Sequence, residues 1–224
     1  LFINIINCTQ NLKQNDSYFK EFNKIFSQYK TIIKYDKKFS KIDKIKLNFK
    51  YNINDDKTLI CNNISLEKGK IYFLIGENGE GKSTFLEILS GLRDIKDYKV
   101  DDTYIVPNEI IPNISYMTQV PAIFNMNLLD NIDLEGVIKD GDIKNLINLF
   151  KLNKFSNDNF LEKQDLFNLA SGGEKQKIGI IRAILKGKDI ILFDEPTSNL
   201  DSQSESIFYN YLKKLTDKII VIVS

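Results

Sequence analysis

The chain has no histidine. Histidine-based catalytic triads and histidine metal ligation are therefore outside its chemistry as it stands. Cysteine is nearly absent too. Cys8 and Cys61 have no metal-ligand spacing and read as free thiols, not as a disulfide or half of a zinc site. Long apolar runs are missing: the longest, Ile71 to Ile75 and Ile219 to Val223, are the length of core strands and fall far short of the roughly 18 apolar residues of a membrane span. Nor does one sign of charge prevail. Thirty-one basic residues against 30 acidic ones leave a net charge of +1, too little for a broad nucleic-acid footprint, so nucleic acid is not an expected partner. Internal repeats and low-complexity segments are also lacking, apart from a general bias to Lys, Asn and Ile. What is present, 224 residues of which 42% are hydrophobic and 27% charged, suffices for one substantial core, or for a core domain with a smaller lobe. The chain starts at Leu1 without an initiator Met and stops at Ser224 directly after a strand-like run. It reads as part of a longer polypeptide.

Residues 1–44 read as a connector. Tyr18, Phe19, Phe22, Ile25, Phe26, Tyr29, Ile32 and Ile33 fall at helical spacing behind Asp16 or Ser17 as N-cap, which predicts an amphipathic helix that either docks on the domain or leads in from something upstream. A basic stretch follows, with Lys34, Lys37, Lys38, Lys41, Lys44 and Lys46. It is either a solvated linker or a segment lying near an anionic membrane surface.

From Ile45 the pattern switches to strict alternation. Ile45, Leu47, Phe49 and Tyr51 share one face and Lys44, Lys46, Asn48 and Lys50 the other, as a half-buried antiparallel strand requires. A turn at Asn54–Asp56 and more strand around Thr58–Ile64 complete a small antiparallel sheet. Further on, a helix is expected over Ser83–Leu92, a strand over Tyr98–Val106 closed by Pro107 and Pro112, a helical insertion over 127–155, a helix over Gly172–Lys186 and a buried strand over Ile190–Phe193. Strands alternating with helices imply an α/β core with a parallel sheet.

The sharpest local signal is Gly76-Glu77-Asn78-Gly79-Glu80-Gly81-Lys82-Ser83, followed by Thr84. It comes directly after the apolar run Ile71–Ile75 and matches the phosphate-binding loop G-x-x-x-x-G-K-[ST]. The glycines let the backbone curl until several N–H groups converge on the β- and γ-phosphates of a nucleotide, and the helix that starts around Gly81 adds its positive end. Lys82 supplies a point charge. Ser83 is placed to put its hydroxyl on Mg²⁺. An ordinary glycine turn would need neither the lysine nor the serine. Downstream, Ile190-Ile191-Leu192-Phe193-Asp194-Glu195 is an apolar run ending in two acids, which puts both carboxylates at the carboxyl end of a buried strand, where open α/β sheets bind ligands. Asp194 is suited to hold Mg²⁺, directly or through water, and Glu195 to orient and deprotonate an attacking water.

Ala170-Ser171-Gly172-Gly173-Glu174, with Asp194 twenty residues after Glu174, and then Asp194-Glu195-Pro196-Thr197-Ser198-Asn199-Leu200-Asp201, resemble the ATP-binding cassette family, whose signature is usually written L-S-G-G-Q. The resemblance covers about residues 45–224, with several motifs in order. It implies a P-loop NTPase (RecA-like) core carrying a small antiparallel β-subdomain and an inserted α-helical subdomain at about 120–180, with ATP and Mg²⁺ as ligands. It also implies that Ser171, Gly172, Gly173 and Glu174, at a helix N-terminus, cap the γ-phosphate held by a second such domain, so that two ATP molecules are sandwiched head to tail. Gln119, in Ser115-Tyr116-Met117-Thr118-Gln119-Val120-Pro121, matches the family's Q-loop glutamine, which contacts Mg²⁺ and water. Tyr51 is either the aromatic that stacks on adenine or a sheet aromatic. Asp201 is either the acid that touches the partner domain or a cap of the next helix beside a Ser202/Glu205 capping box.

Ala170 and Glu174 depart from the usual signature residues but leave the serine and glycines intact. The family's switch histidine would fall just past Ser224, so the chain is expected to be C-terminally truncated there; a chain ending at Ser224 would bind ATP and hydrolyse it poorly. Within the family, Gln119 followed by Phe124 and by Asn131-Ile132 is similar to exporter-type domains, as is the N-terminal extension, since exporters fuse their membrane helices ahead of this domain. The acidic segment exporters carry before the signature is represented only by Glu162-Lys163-Gln164-Asp165. The expectation is thus an ATPase at the cytoplasmic face of a membrane, partnered by a second nucleotide-binding domain and a transmembrane domain. Two alternatives stand beside it. A soluble cassette ATPase of DNA repair or chromosome organisation would need a long coiled coil between Lys82 and Asp194, and a non-hydrolytic regulator would not need Glu195.

Overall fold

The computed structural model describes residues 39–124, 126–134, 136–152 and 169–224. The expected helix at 18–33, Lys34 to Lys38, Cys8 and Glu162–Asp165 lie outside the described residues.

Strands β1 (Lys44–Asn54) and β2 (Lys57–Glu67) form an antiparallel hairpin. The alternation read from Ile45 is real: Ile45, Leu47 and Phe49 are buried, while Asn48 and Lys50 are exposed. Strands β3 (Ile71–Leu74), β4 (Tyr98–Val100) and β5 (Thr103–Tyr104) follow, and the antiparallel sheet runs β2-β1-β4-β5. One continuous strand over Tyr98–Val106 is therefore wrong. Asp101 and Asp102 both hold left-handed φ angles, 47° and 68°, and turn the chain back as a tight hairpin, a conformation that short polar side chains tolerate. The Asp101 carboxylate fixes that turn by accepting from the backbone N–H of Lys44 at 2.7 Å and of Asp43 at 3.2 Å. Pro107 and Pro112 sit inside a 3₁₀ helix over Pro107–Asn113, which delivers the chain to a strand the sequence did not reveal, β6 (Ile114–Met117).

The second sheet is wholly parallel, in the order β3-β8-β7-β6, with β7 at Ile190–Asp194 and β8 at Ile219–Val223. Every residue of β7 and β8 is buried, as central strands covered on both faces must be. The two-residue period of a strand then divides each between two cores. Ile190, Leu192, Ile219 and Val221 join Ile45, Leu47 and Tyr98 of the antiparallel sheet and the helix α1 (Lys82–Leu89). Ile191, Phe193, Ile220 and Ile222 face helices α4 (Gly172–Leu185) and α5 (Ser202–Leu212). There Phe193 and Phe208 meet edge to face at 5.1 Å, the arrangement aromatic quadrupoles favour. Helix α1 ends at Leu89, earlier than the apolar pattern implied, because Gly91 turns left-handed (φ 76°) just past it. Among the described residues of the expected helical insertion lie α2 (Leu128–Ile132), capped by the Asn127 side chain, and α3 (Asp140–Leu149). Among the described residues, no helix is long and apolar enough to cross a membrane.

Candidate nucleotide-binding site

Because β3, β6 and β7 run parallel, their carboxyl ends lie along one edge of the sheet. β3 leads into Gly76–Ser83, β6 into Thr118 and Gln119, and β7 into Asp194 and Glu195. A cavity of about 420 Å³ opens there, with Asn78, Gly79, Gly81, Lys82, Ser83 and Thr84 on one wall and Gln119 and Glu195 on the other.

The loop owes its path to glycine. Gly81 caps α1 at φ 98°, and a Cβ on it would lie 2.8 Å from the Ile53 side chain, so any other residue is both strained and crowded there. Lys82 curls over the loop and donates to the carbonyl oxygens of Gly76 at 2.6 Å and Glu77 at 3.1 Å. The Glu80 carboxylate folds back and accepts from the Glu77 N–H at 2.8 Å. A loop amide and the loop lysine, groups suited to phosphate oxygens, are thus held by the protein's own oxygens.

Across the cleft, Glu195 has a left-handed φ of 47°, a conformation a non-glycine residue keeps only when its surroundings enforce it. Its N–H donates to the Val223 carbonyl at 3.0 Å, and its carbonyl accepts from Gln176 at 2.9 Å and from the Ser198 hydroxyl at 3.1 Å. The side chain is thereby aimed into the cleft, where Glu195 Oε2 accepts from the Gln119 amide at 2.8 Å. Asp194 is buried at 5% exposure. Burial raises its pKa above the ordinary carboxylate value, a hydrogen bond from Ser83 and the charge of Lys82 oppose the rise, and repulsion from Glu195 and Glu87 adds to it. Tyr116 on β6 also reaches the Asp194 carboxylate, and burial followed by that negative charge pushes its phenol upward. Ser83 and Asp194, expected to share Mg²⁺, are therefore in hydrogen-bond contact, with the Gln119 amide on the same cleft. Such a sparse set of oxygen donors suits an ion that keeps several waters and takes the rest of its ligands from phosphate.

Tyr51 stands elsewhere than a lining residue. It packs against the core of the antiparallel sheet, and its hydroxyl accepts from Arg93 Nη1 at 2.9 Å while the same guanidinium sits 5.6 Å from its ring. Ile53, two residues along β1, lines the cavity instead. A β-bulge between Asn52 and Asn54 shifts the register at that end of β1.

The signature residues do not line this cavity. Ser171 is the N-cap of α4 and forms a capping box: Glu174 N–H donates to its hydroxyl at 3.4 Å, and Glu174 Oε2 accepts from Ser171 N–H at 2.8 Å. Ser171 and Gly172 are exposed, and a Cβ on Gly173 would meet the Asn199 carbonyl at 2.7 Å. Asp201 caps α5 by accepting from Ser204 N–H at 2.8 Å. The expected Ser202/Glu205 box is absent, since Ser202 is already the first helical residue. Two residues that bind this region together, Arg182 and Gln176, went unremarked in the sequence. Their one signal was polarity at buried positions inside the apolar pattern of α4.

Comparison with known proteins decides the family. The profile described as ABC transporter matches residues 61–198. The chain belongs to the ABC transporter family. A probable ABC transporter ATP-binding/permease protein of Haemophilus influenzae is 34% identical over 207 residues, 84% of this chain and 36% of that protein. The lactococcin-G-processing and transport ATP-binding protein LagD of Lactococcus lactis is 31% identical over 245 residues, 99% of this chain and 34% of its own length. The phosphonates import ATP-binding protein PhnC of Fusobacterium nucleatum is 32% identical over 181 residues, 73% of each. This chain thus spans about a third of the first two relatives. In fold it resembles a bacterial Atm1-family ABC exporter with ATP bound, with a TM-score of 0.72 at 19% identity over 83% of this chain and 35% of that one. The expected α/β P-loop architecture of the family's ATPase domain is the one observed.

Proposed function

We propose that this chain is the ATP-binding and ATP-hydrolysing domain of a membrane exporter, working as one half of a head-to-tail pair. The observation that carries the reading is the convergence of Lys82, Ser83, Gln119, Asp194 and Glu195 on one cleft from the carboxyl ends of three parallel strands. In it Lys82 exchanges the Gly76 and Glu77 carbonyls for phosphate oxygens, and the loop N–H groups from Asn78 to Ser83 add their dipoles. Ser83, Asp194 and Gln119 are the oxygen donors that would hold Mg²⁺, which when bound would offset the charge that develops in phosphoryl transfer. Glu195, held by its strained backbone, orients a water through its free carboxylate oxygen and accepts its proton, while Gln119 fixes the rotamer of that carboxylate.

Ser171 and Gly172 face solvent at the start of α4, Gly173 packs against the Asn199 carbonyl, and none of the three lines its own chain's cleft. Their use in the cleft of a second copy, with Asp201 beside them at the start of α5, accounts for an anion-suited helix end left unused by its own site. Outward transport follows from likeness to proteins such as LagD, named as a processing and transport ATP-binding protein, and from the Phe124 and Asn131-Ile132 pair. A transmembrane partner and a place at the cytoplasmic face of the membrane follow from the same relatives. Glu195→Gln is the test: with ATP and Mg²⁺, hydrolysis stops and the chain accumulates as an ATP-bound dimer in size-exclusion chromatography. A variant that binds ATP and stays monomeric would sink the sandwich.

A further inference from the structure

Helix α4 touches the site at more than its first turn. Gln176 reaches the Glu195 carbonyl at 2.9 Å. One turn on, Gly179 lies so close to Pro121 that a Cβ would sit 2.7 Å from the proline ring. One further turn brings Arg182, whose guanidinium donates to the Asn131 carbonyl at 2.7 Å, to the Ala122 carbonyl at 2.7 Å and to Asn131 Oδ1 at 3.4 Å, with the Phe124 ring 5.5 Å away. Asn131 is wholly buried and is consumed by the same segment. Its amide donates to the carbonyls of Phe124, Met126 and Asn127 at 3.0 Å each, and its oxygen accepts from Phe124 N–H at 2.8 Å.

We propose that Arg182, seated on Asn131, is the positioning residue that locks the segment after Gln119 to α4 and so holds the Gln119 amide on Glu195. The geometry favours a lock over general packing for two reasons. A planar fork that grips carbonyls at two points of one segment, Ala122 and Asn131, fixes both distance and angle, which an apolar contact or a lysine does not. The segment and the helix are also both tied to the site itself, since Gln119, three residues before Ala122, holds the Glu195 carboxylate and Gln176 of α4 holds the Glu195 carbonyl. Burial lowers the pKa of Arg182 to about 10.

The inference rests on the proposed ATPase reading, and the experiment separates the two. On the full chain, steady-state hydrolysis is measured for wild type, Arg182→Lys, Gln119→Ala and the double variant, with ATP affinity measured in the Glu195→Gln background and unfolding midpoints recorded for all. Wild type without ATPase activity would refute the ATPase reading itself. If the lock acts through Gln119, Arg182→Lys lowers kcat about tenfold or more while KM and ATP affinity stay within about twofold. The double variant is then no slower than Gln119→Ala alone. Multiplying losses in the double variant, or a kcat that merely tracks the folded fraction, would overturn the lock. Arg182→Met strands the carbonyls and is the harsher variant; should it fail to fold, Arg182→Lys, which keeps the charge, still decides the question.

Discussion

The chain has two helix N-termini built from glycine and serine, one at Gly76–Ser83 leading into α1 and one at Ser171–Gly173 leading into α4, and they are unlike in an instructive way. Both use a glutamate three residues on to occupy a backbone N–H. Glu80 takes the Glu77 amide and Glu174 takes the Ser171 amide, each at 2.8 Å. The first has a cation within its motif, Lys82, and lines the cleft, which Ser171–Gly173 do not. A helix end alone is worth a fraction of the energy of a charged, enclosed anion site. In the pair we propose, the loop therefore holds the triphosphate by itself, whereas the signature end completes a site supplied by the second molecule.

The largest effects should come from breaking each end separately. Lys82→Ala weakens ATP binding by about 2–4 kcal/mol, roughly 30- to 1,000-fold, read by isothermal titration on the full chain. Ser171→Arg leaves that affinity within about twofold, because it is remote from its own cleft, yet removes ATP-dependent dimerisation and hydrolysis. Equal loss of affinity in both variants would erase the distinction between the ends. Next comes the cost of holding the charge opposite the loop. Asp194 has its pKa raised by burial, so the native state binds its proton more readily than the unfolded chain, and stability falls as pH rises from the ordinary carboxylate range through the raised value. Asp194→Asn removes that slope, raises the unfolding midpoint at neutral pH by roughly 2–4 °C and abolishes Mg²⁺-dependent hydrolysis. A midpoint that drops would show that the carboxylate holds its neighbours in place.

A smaller effect sharpens the likeness between the two glutamates. Glu80→Ser frees the Glu77 amide and removes a negative charge from the phosphate loop, so ATP binding tightens about three- to tenfold at low salt. The gain shrinks as ionic strength rises. The corresponding change at the signature, Glu174→Gln, leaves affinity in the monomer unchanged. Smallest is Asp201→Ala at the cap of α5. Hydrogen bonds from the Ser204 N–H and hydroxyl, and then Lys177, depress the Asp201 pKa. Its contribution is present above the ordinary carboxylate value and lost as pH falls through the depressed one. The variant should unfold slightly earlier than wild type at neutral pH and no differently in strong acid.

Much of the site was legible because phosphate chemistry dictates local backbone shape. Gly76–Ser83, the acid pair Asp194 and Glu195, and Ser171–Gly173 are each contiguous, and each announces its element by glycine spacing or an apolar run. The β1 alternation was legible for the same local reason, and the chain reversal at Asp101–Asp102 was not, because two aspartates adopt a left-handed turn only when a partner such as the Lys44 amide fixes them. The contact of Tyr51 with Arg93, 42 residues away, was likewise beyond any local pattern.

By itself, then, the amino-acid sequence determined which residues carry the phosphate-loop pattern, which family the fold belongs to and which faces of the strands are buried, since these follow from covalent order, side-chain period and the stereochemistry of glycine. Only the tertiary structure decided that Gln119 grips Glu195, that Ser83 and Tyr116 share Asp194 and that Arg182 fastens α4 to the segment behind Gln119. Those pairings join residues brought together by a parallel sheet and a buried helix, and nothing in their local sequence specifies the distance across which a guanidinium or an amide must reach.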